Sequence, residues 1–295
     1  MEQKRQMKYP FKFEYKKNFN FFGNKINLVE ETNNIVDVFN FYSKKPDIKA
    51  HYLHNQNLIM DSLYDDRSDF KGGSFNDIFK EKKLDLFHKY EQEFFKKFDF
   101  KLNNFKTRGR VRSEYDGDFD YDKKYDISPF STRGKVLTKK KSLKLYAELS
   151  FSGRVSSKVI DEYGAFVTAL VFYFEKQGVN IELYLTQTGS NPGSGNLEFC
   201  NRAKTKIKNS GEYLAKSEML KIFNTVYFRR IGFAHIVASC DFIGQAASHS
   251  LGSPYRFNKP YEYDGIKNEL HIFSCPDFNK QMEIVDILKR ELLVT

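Results

Sequence analysis

Tryptophan is absent from this chain, cysteine occurs three times, and nowhere do about 18 apolar residues run together. The missing apolar run excludes an ordinary membrane-spanning helix, which needs that length to cross the hydrocarbon core. Cys200, Cys240 and Cys275 are far apart and form no Cys-x-x-Cys pair, so neither a zinc ribbon nor a redox dithiol is supported. Three buried thiols are expected instead. The start, Met1-Glu-Gln-Lys-Arg-Gln, lacks the apolar stretch of a secretory signal, so a cytoplasmic protein is expected. The glycine-rich segment 188–196 lacks the Gly-Lys-Ser/Thr ending of a phosphate loop, and no early strand offers Gly-x-Gly-x-x-Gly. No Ser/His/Asp or Cys/His arrangement is legible. The expectation is a protein that is not an enzyme and carries no cofactor.

What is present is a globular composition: 295 residues, 40% hydrophobic and 29% charged. Phe (30) and Tyr (18) supply all the aromatic content, enough to stack bases or anchor an interface. The formal charge of +10 points to an anionic partner. It is unevenly spread: residues 1–100 carry +2, 101–150 carry +6 and 151–295 carry +2. More than half of the excess therefore sits in one short window.

Three units are expected. Residues 1–105 read as an aromatic-rich α+β region that binds a partner. Phe11, Phe13 and Tyr15 alternate with charged residues as in a half-exposed strand. Thr32 is placed to cap a helix through Ile35–Tyr42 that stops near Lys45–Pro46. Residues 61–73 read as a loop. Ser74 then opens a helix with Asp77 as its capping partner, and Phe79, Phe87, Tyr90, Phe94 and Phe98 follow at mostly helical spacing. Residues 106–142 read as a charged connector. It holds a basic stretch through Arg108, Arg110 and Arg112, an acidic island from Glu114 to Asp126, and a second basic stretch through Lys139, Lys140 and Lys141.

Residues 143–295 read as an α/β core. A strand from Leu143, a long helix with Val159, Tyr163, Phe166, Leu170 and Phe174 on one face, and a strand over 179–186 make a βαβ unit. A strand at 197–203, a helix at 213–228, an apolar central strand at 231–239, a strand at 270–274 and a final helix from Pro276 complete it. The fold class expected is a doubly wound sheet, von Willebrand A- or Rossmann-like, with helices on both faces.

Ligands of open α/β sheets bind outside the carboxyl ends of strands. The first such end, Glu148-Leu-Ser150-Phe-Ser152, resembles the Asp-x-Ser-x-Ser of metal-dependent adhesion sites, where a carboxylate and two hydroxyls meet a hard cation. Glu in place of Asp shifts the oxygens, so Glu148, Ser150 and Ser152 are weak metal candidates and no metal is expected. The island Asp116–Asp122 fails as an EF-hand loop, because its sixth and twelfth positions hold Tyr121 and Ile127. The partner-binding candidates are Arg108, Arg110, Arg112, Tyr115, Phe119, Tyr121, Lys139, Lys140 and Lys141. His235 lies in an apolar run and reads as a core histidine.

Three blocks carry a family resemblance: 112–120, 143–186 with its Gly164-Ala165 helix, and Tyr227-Phe-Arg-Arg-Ile-Gly-Phe233. Together, over about 112–275, they resemble a group of phage proteins of unknown function with a von Willebrand A-like core. The length, composition and separate aromatic N-terminal part are similar to Gabija anti-defence proteins of Bacillus-type phages. That resemblance implies a non-enzymatic inhibitor in the host cytoplasm. It would bind a host nuclease-ATPase complex stoichiometrically, as a homo-oligomer when bound, and block its access to DNA. Two other readings stay open: a nucleic-acid-binding phage protein using the basic connector, and a metal-dependent von Willebrand A-like binding module.

Overall fold

The computed structural model describes residues 9–52, 55–65, 73–79, 106–113, 118–119, 130–137, 141–176, 179–191, 199–243, 261–274 and 283–286, with 85, 87–89 and 92. Strands β1 (Lys12–Phe21) and β2 (Asn24–Asn34) form an antiparallel hairpin, as the alternation at the N-terminus predicts. Its two-residue turn has φ of 50° at Phe22 and 88° at Gly23. Positive φ at both positions is the primed geometry whose twist matches the strands. Gly23 adopts it freely, whereas Phe22 is a bulky residue in a region it ordinarily avoids.

Helix α1 (Ile35–Ser43) follows at once. Its cap is Asn34, whose Oδ1 accepts from the Val36 amide at 2.9 Å, two residues after the expected Thr32. β2 runs straight through Thr32 and postpones the helix. Helix α2 spans Ile48–His51, and α3 spans Gln56–Tyr64. α3 thus covers part of the loop expected from residue 61. Ser74 and Asp77 do pair as predicted, with the Ser74 amide and hydroxyl donating to Asp77 Oδ2 at 2.6 and 2.9 Å. The element they open is a 3₁₀ turn, Phe75–Phe79.

The expected connector contains a sheet of its own. β3 (Lys106–Ser113), β4 (Asp118–Phe119) and β5 (Phe130–Leu137) pair antiparallel in the order β3-β5-β4. Its last residue but one, Lys141, already begins β6 (Lys141–Glu148). Helix α4 (Ser157–Lys176) crosses over to β7 (Val179–Asn191), which pairs parallel with β6, so the predicted βαβ unit is present. β8 (Phe199–Lys208) follows, then α5 (Lys216–Ile222) and α6 (Thr225–Tyr227), which divide the helix expected over 213–228.

The run 231–239, expected as a central strand, is helical. A π turn (Phe228–Gly232) leads into α7 (Phe233–Phe242), buried along nearly its whole length. An apolar run buried on all sides has no period by which a strand and a helix can be told apart. β9 (Tyr261–Asp264) and β10 (Glu269–Ile272) close the described strands. Residues 283–286, from the expected final helix, are helical, with Ile284 and Val285 buried.

The main sheet has seven strands in the order β1-β2-β8-β7-β6-β10-β9. β2–β8, β7–β6 and β6–β10 are parallel, while β1–β2, β8–β7 and β10–β9 are antiparallel. The architecture is mixed α/β. Two of its strands come from the expected N-terminal region, and Ile35, Val38 and Tyr42 of α1 share one hydrophobic core with Leu145, Phe166, Leu183 and Ile272. The sheet is strongly curled. Phe22, beside β2, lies 4.9 Å from the His271 ring and 5.1 Å from Phe273, although β8, β7 and β6 separate β2 from β10. Flat strands about 4.8 Å apart would hold those residues far from each other.

Candidate interaction surface and interior polar sites

In the small sheet, the register sets Lys106 opposite Leu137, Arg108 opposite Lys135, Arg110 opposite Arg133, and Arg112 opposite Ser131. Alternate residues of a strand share a face. One face of this ribbon therefore has six cationic positions out of eight. The other has Thr107, Gly109, Val111, Ser113, Phe130, Thr132, Gly134 and Val136, none of them charged. Asp118 pairs with Ser131 and Phe119 with Phe130 at the far edge. Of the candidate partner-binding residues, Arg108, Arg110, Arg112 and Phe119 are thus gathered in one sheet, and Lys141 is separated from them at the start of β6. Tyr115, Tyr121, Lys139 and Lys140 lie outside the described residues. Arg133 and Lys135, absent from the sequence-based candidates, join the cluster through the register, which no local pattern announces.

The Glu148 carboxylate is buried and consumed inside the protein. Oε1 accepts from the Thr188 amide and hydroxyl, both at 2.8 Å, and from the Ser150 hydroxyl; Oε2 accepts from Thr186 Oγ1 at 2.7 Å. Ser274, just past β10, ties in by accepting from the Ser150 amide at 2.8 Å and donating to the Glu148 carbonyl at 3.0 Å. Ser152 belongs to a separate local turn, accepting from the Arg154 amide at 3.4 Å. The cluster joins the carboxyl ends of β6, β7 and β10. Among the described residues no group of three or more His, Cys, Asp or Glu could hold a metal ion.

A second polar cluster lies under α7. Glu31 and Asn33 of β2, Asn201 and Thr205 of β8 and Gln187 of β7 share the helix-covered face of the sheet. His235 Nδ1 lies 2.6 Å from Glu31 Oε1, within ion-pair reach but not aligned as a hydrogen bond. Both residues are wholly buried. Asn33 Nδ2 donates to the same oxygen at 2.7 Å, and Asn201 Nδ2 approaches Cys240 Sγ at 3.0 Å. The rings of Phe11 and Tyr42 flank the imidazole. Burial first, then the neighbouring Tyr52 and Glu31, push the Tyr42 hydroxyl well above its ordinary range. A Cβ at Gly232 would fall 2.0 Å from Gln187 Nε2, so any larger residue there would have to displace that side-chain amide. His235 is a core histidine, as expected, with a carboxylate partner that its local sequence does not reveal. Cys200 and Cys240 are buried thiols, and Cys275 lies outside the described residues.

The opposite face of the sheet carries a stacked row, Tyr184–Tyr146–His271, with centroids 4.8 and 4.4 Å apart. Charges beside it are matched: Arg202, Lys204 and Lys16 surround Glu30, and Lys206 meets Glu182 at 2.7 Å. Burial works to raise Glu30, but those three cations outweigh it and hold the carboxyl below its ordinary value. Burial first, then Arg202 and Lys204, lower His271 to about 3. An open cavity of about 460 Å³ lies elsewhere, between the start of β1 and α1, lined by Phe11, Lys12, Asn33, Asp37 and Lys44 among others.

Fold and surfaces together define a mixed α/β protein with an inserted cationic ribbon. The chain belongs to the family described as Domain of unknown function (DUF7192), whose model matches residues 23–292. β1 lies ahead of that match. No curated protein and no solved structure matches the chain. No helix among the described residues is long and apolar enough to cross a membrane.

Proposed function

We propose that this protein acts by binding rather than by catalysis, as a phage-encoded anti-defence inhibitor. It attaches stoichiometrically to a host Gabija-type nuclease-ATPase complex, as a homo-oligomer, and blocks access to DNA. The observation that supports a binding role is the division of labour in the charged groups. Several on the main sheet are paired within the chain, Arg202 with Glu30 and Lys206 with Glu182 among them, and the register of the ribbon places six cationic positions on one face. Such a surface suits an extended macromolecular contact better than a small substrate. The parallel trio β10-β6-β7 with its α4 crossover is the part that fits a von Willebrand A- or Rossmann-like core. The resemblance of residues 112–275 to phage proteins of unknown function supports the phage setting, and the likeness in length, composition and aromatic N-terminal part supports the choice of target.

The test is size-exclusion chromatography of the purified protein with a Gabija-type complex at micromolar concentration, after nuclease treatment. Co-elution of a stable complex and loss of the host nuclease activity are expected. Separate elution of the two at every mixing ratio would overturn the reading.

A further inference from the structure

We propose that the charged face of the β3–β5 ribbon binds the phosphate backbone of duplex DNA. This goes beyond the inhibitor reading and does not rest on it. The face brings together Lys106, Arg108, Arg110, Arg112, Arg133 and Lys135. Like charges directly opposite each other weaken a strand pair. The register nevertheless places Arg108 against Lys135 and Arg110 against Arg133. A polyanion laid along the ribbon removes that penalty at both pairs at once.

Residue choice favours phosphate. The chain uses lysine for most of its positive charge: only 12 of the 48 Lys+Arg are arginine, and four of those 12 fall in these two strands. Arginine's planar fork meets phosphate oxygens two at a time, which lysine cannot do.

Shape favours a duplex. Same-face positions on a strand repeat about every 6.8 Å, so the row on β3 extends roughly 20 Å. A two-stranded ribbon fits the major groove of B-DNA, about 12 Å wide. Single-strand binders stack bases on aromatic side chains. The eight positions of the charged face hold none, since the remaining two are Ser131 and Leu137. Asp118, the acidic residue that the described strands bring into this sheet, stands beside Ser131 at the Arg112 end.

The experiment is fluorescence anisotropy of the purified full-length protein with a short DNA duplex of arbitrary sequence, from about 50 to 200 mM salt. Six neutralised phosphates give a log–log slope with salt of about −5. The triple substitution Arg108→Gln, Arg110→Gln, Arg112→Gln should make the slope shallower by about 3, with a thermal melt no lower than that of the parent protein. A paired Lys44→Gln, Lys49→Gln variant should leave it unchanged. No binding at about 50 mM salt overturns the proposal, as does a slope indifferent to the triple substitution. Stronger binding of polyglutamate than of DNA would assign the face to an acidic protein and overturn it as well. Because the host complex is absent from this assay, failure here leaves the co-elution result independent.

Discussion

Two helices lie on the same face of one sheet and are held there by opposite chemistry. α4 covers Leu143, Leu145, Ile181 and Leu183 with Phe166, Val167, Leu170 and Phe174, all buried hydrocarbon. α7 covers Glu31, Asn33, Asn201 and Thr205 with His235, Ser239 and Cys240. The first contact is stabilised by area removed from water, which is forgiving of direction. The second depends on each polar group meeting its partner, because a buried group left alone is costly. A helix–sheet layer can therefore be shape-specified at one end and pair-specified at the other.

The largest effect should come from Gly164→Ala. The new Cβ would fall 1.8 Å from the backbone carbonyl oxygen of Phe223, which cannot swing aside. A loss above about 4 kcal/mol, or no folded protein, is expected in urea unfolding. A near-native midpoint would show that α4 is held less tightly than its packing implies.

Next, His235→Leu leaves the buried Glu31 carboxylate with the Asn33 amide but without its imidazole partner and should cost about 3–5 kcal/mol. Adding Glu31→Leu removes the stranded charge too, so the double variant should be less destabilised than the sum of the singles. Simple additivity would mean that the pair is not coupled. On the apolar side, Leu183→Ala should cost about 3 kcal/mol through lost burial and the cavity left behind. There the paired substitution of a neighbour should bring no rescue.

The reverse face gives a pH test. His271 is lowered to about 3 when folded, so the unfolded chain takes up a proton that the folded one refuses. Its contribution is complete above about 6.5 and is lost as pH falls from there toward 3, at no more than about 1.4 kcal/mol per pH unit. His271→Phe should flatten that limb in denaturant titrations at several pH values. Glu30, also lowered, adds its loss only as pH falls below the ordinary carboxylate range. The smallest effect belongs to Lys158→Ala. Its pairing with Glu162 is 4.0 Å long and largely exposed, so stability should move by less than about 0.5 kcal/mol.

Local patterns announced the elements that are held locally. The β1 alternation, the α4 stripe and the Ser74–Asp77 pair were all legible. Contacts set by register were not. Glu31 and His235 are 204 positions apart in the sequence, and nothing near either residue names the other. The same holds for Arg110 and Arg133, which read as two separate basic stretches flanking an acidic island until the ribbon pairs them. The run 231–239 was misread as a strand because complete burial erases period, and the N-terminal hairpin's place in the main sheet depends on a strand that begins only at Phe199.

That last pairing sets a timetable for synthesis. β2 finds its parallel neighbour only when residues 199–208 have been made, and Phe22 meets His271 and Phe273 only when those residues follow. At about 5–20 residues per second, the hairpin must wait on the order of 10–35 s for β8. During that interval one edge of β2 lies open to any other strand. The sheet does not follow chain order: a strand from one of its earliest segments waits for a neighbour made long after it.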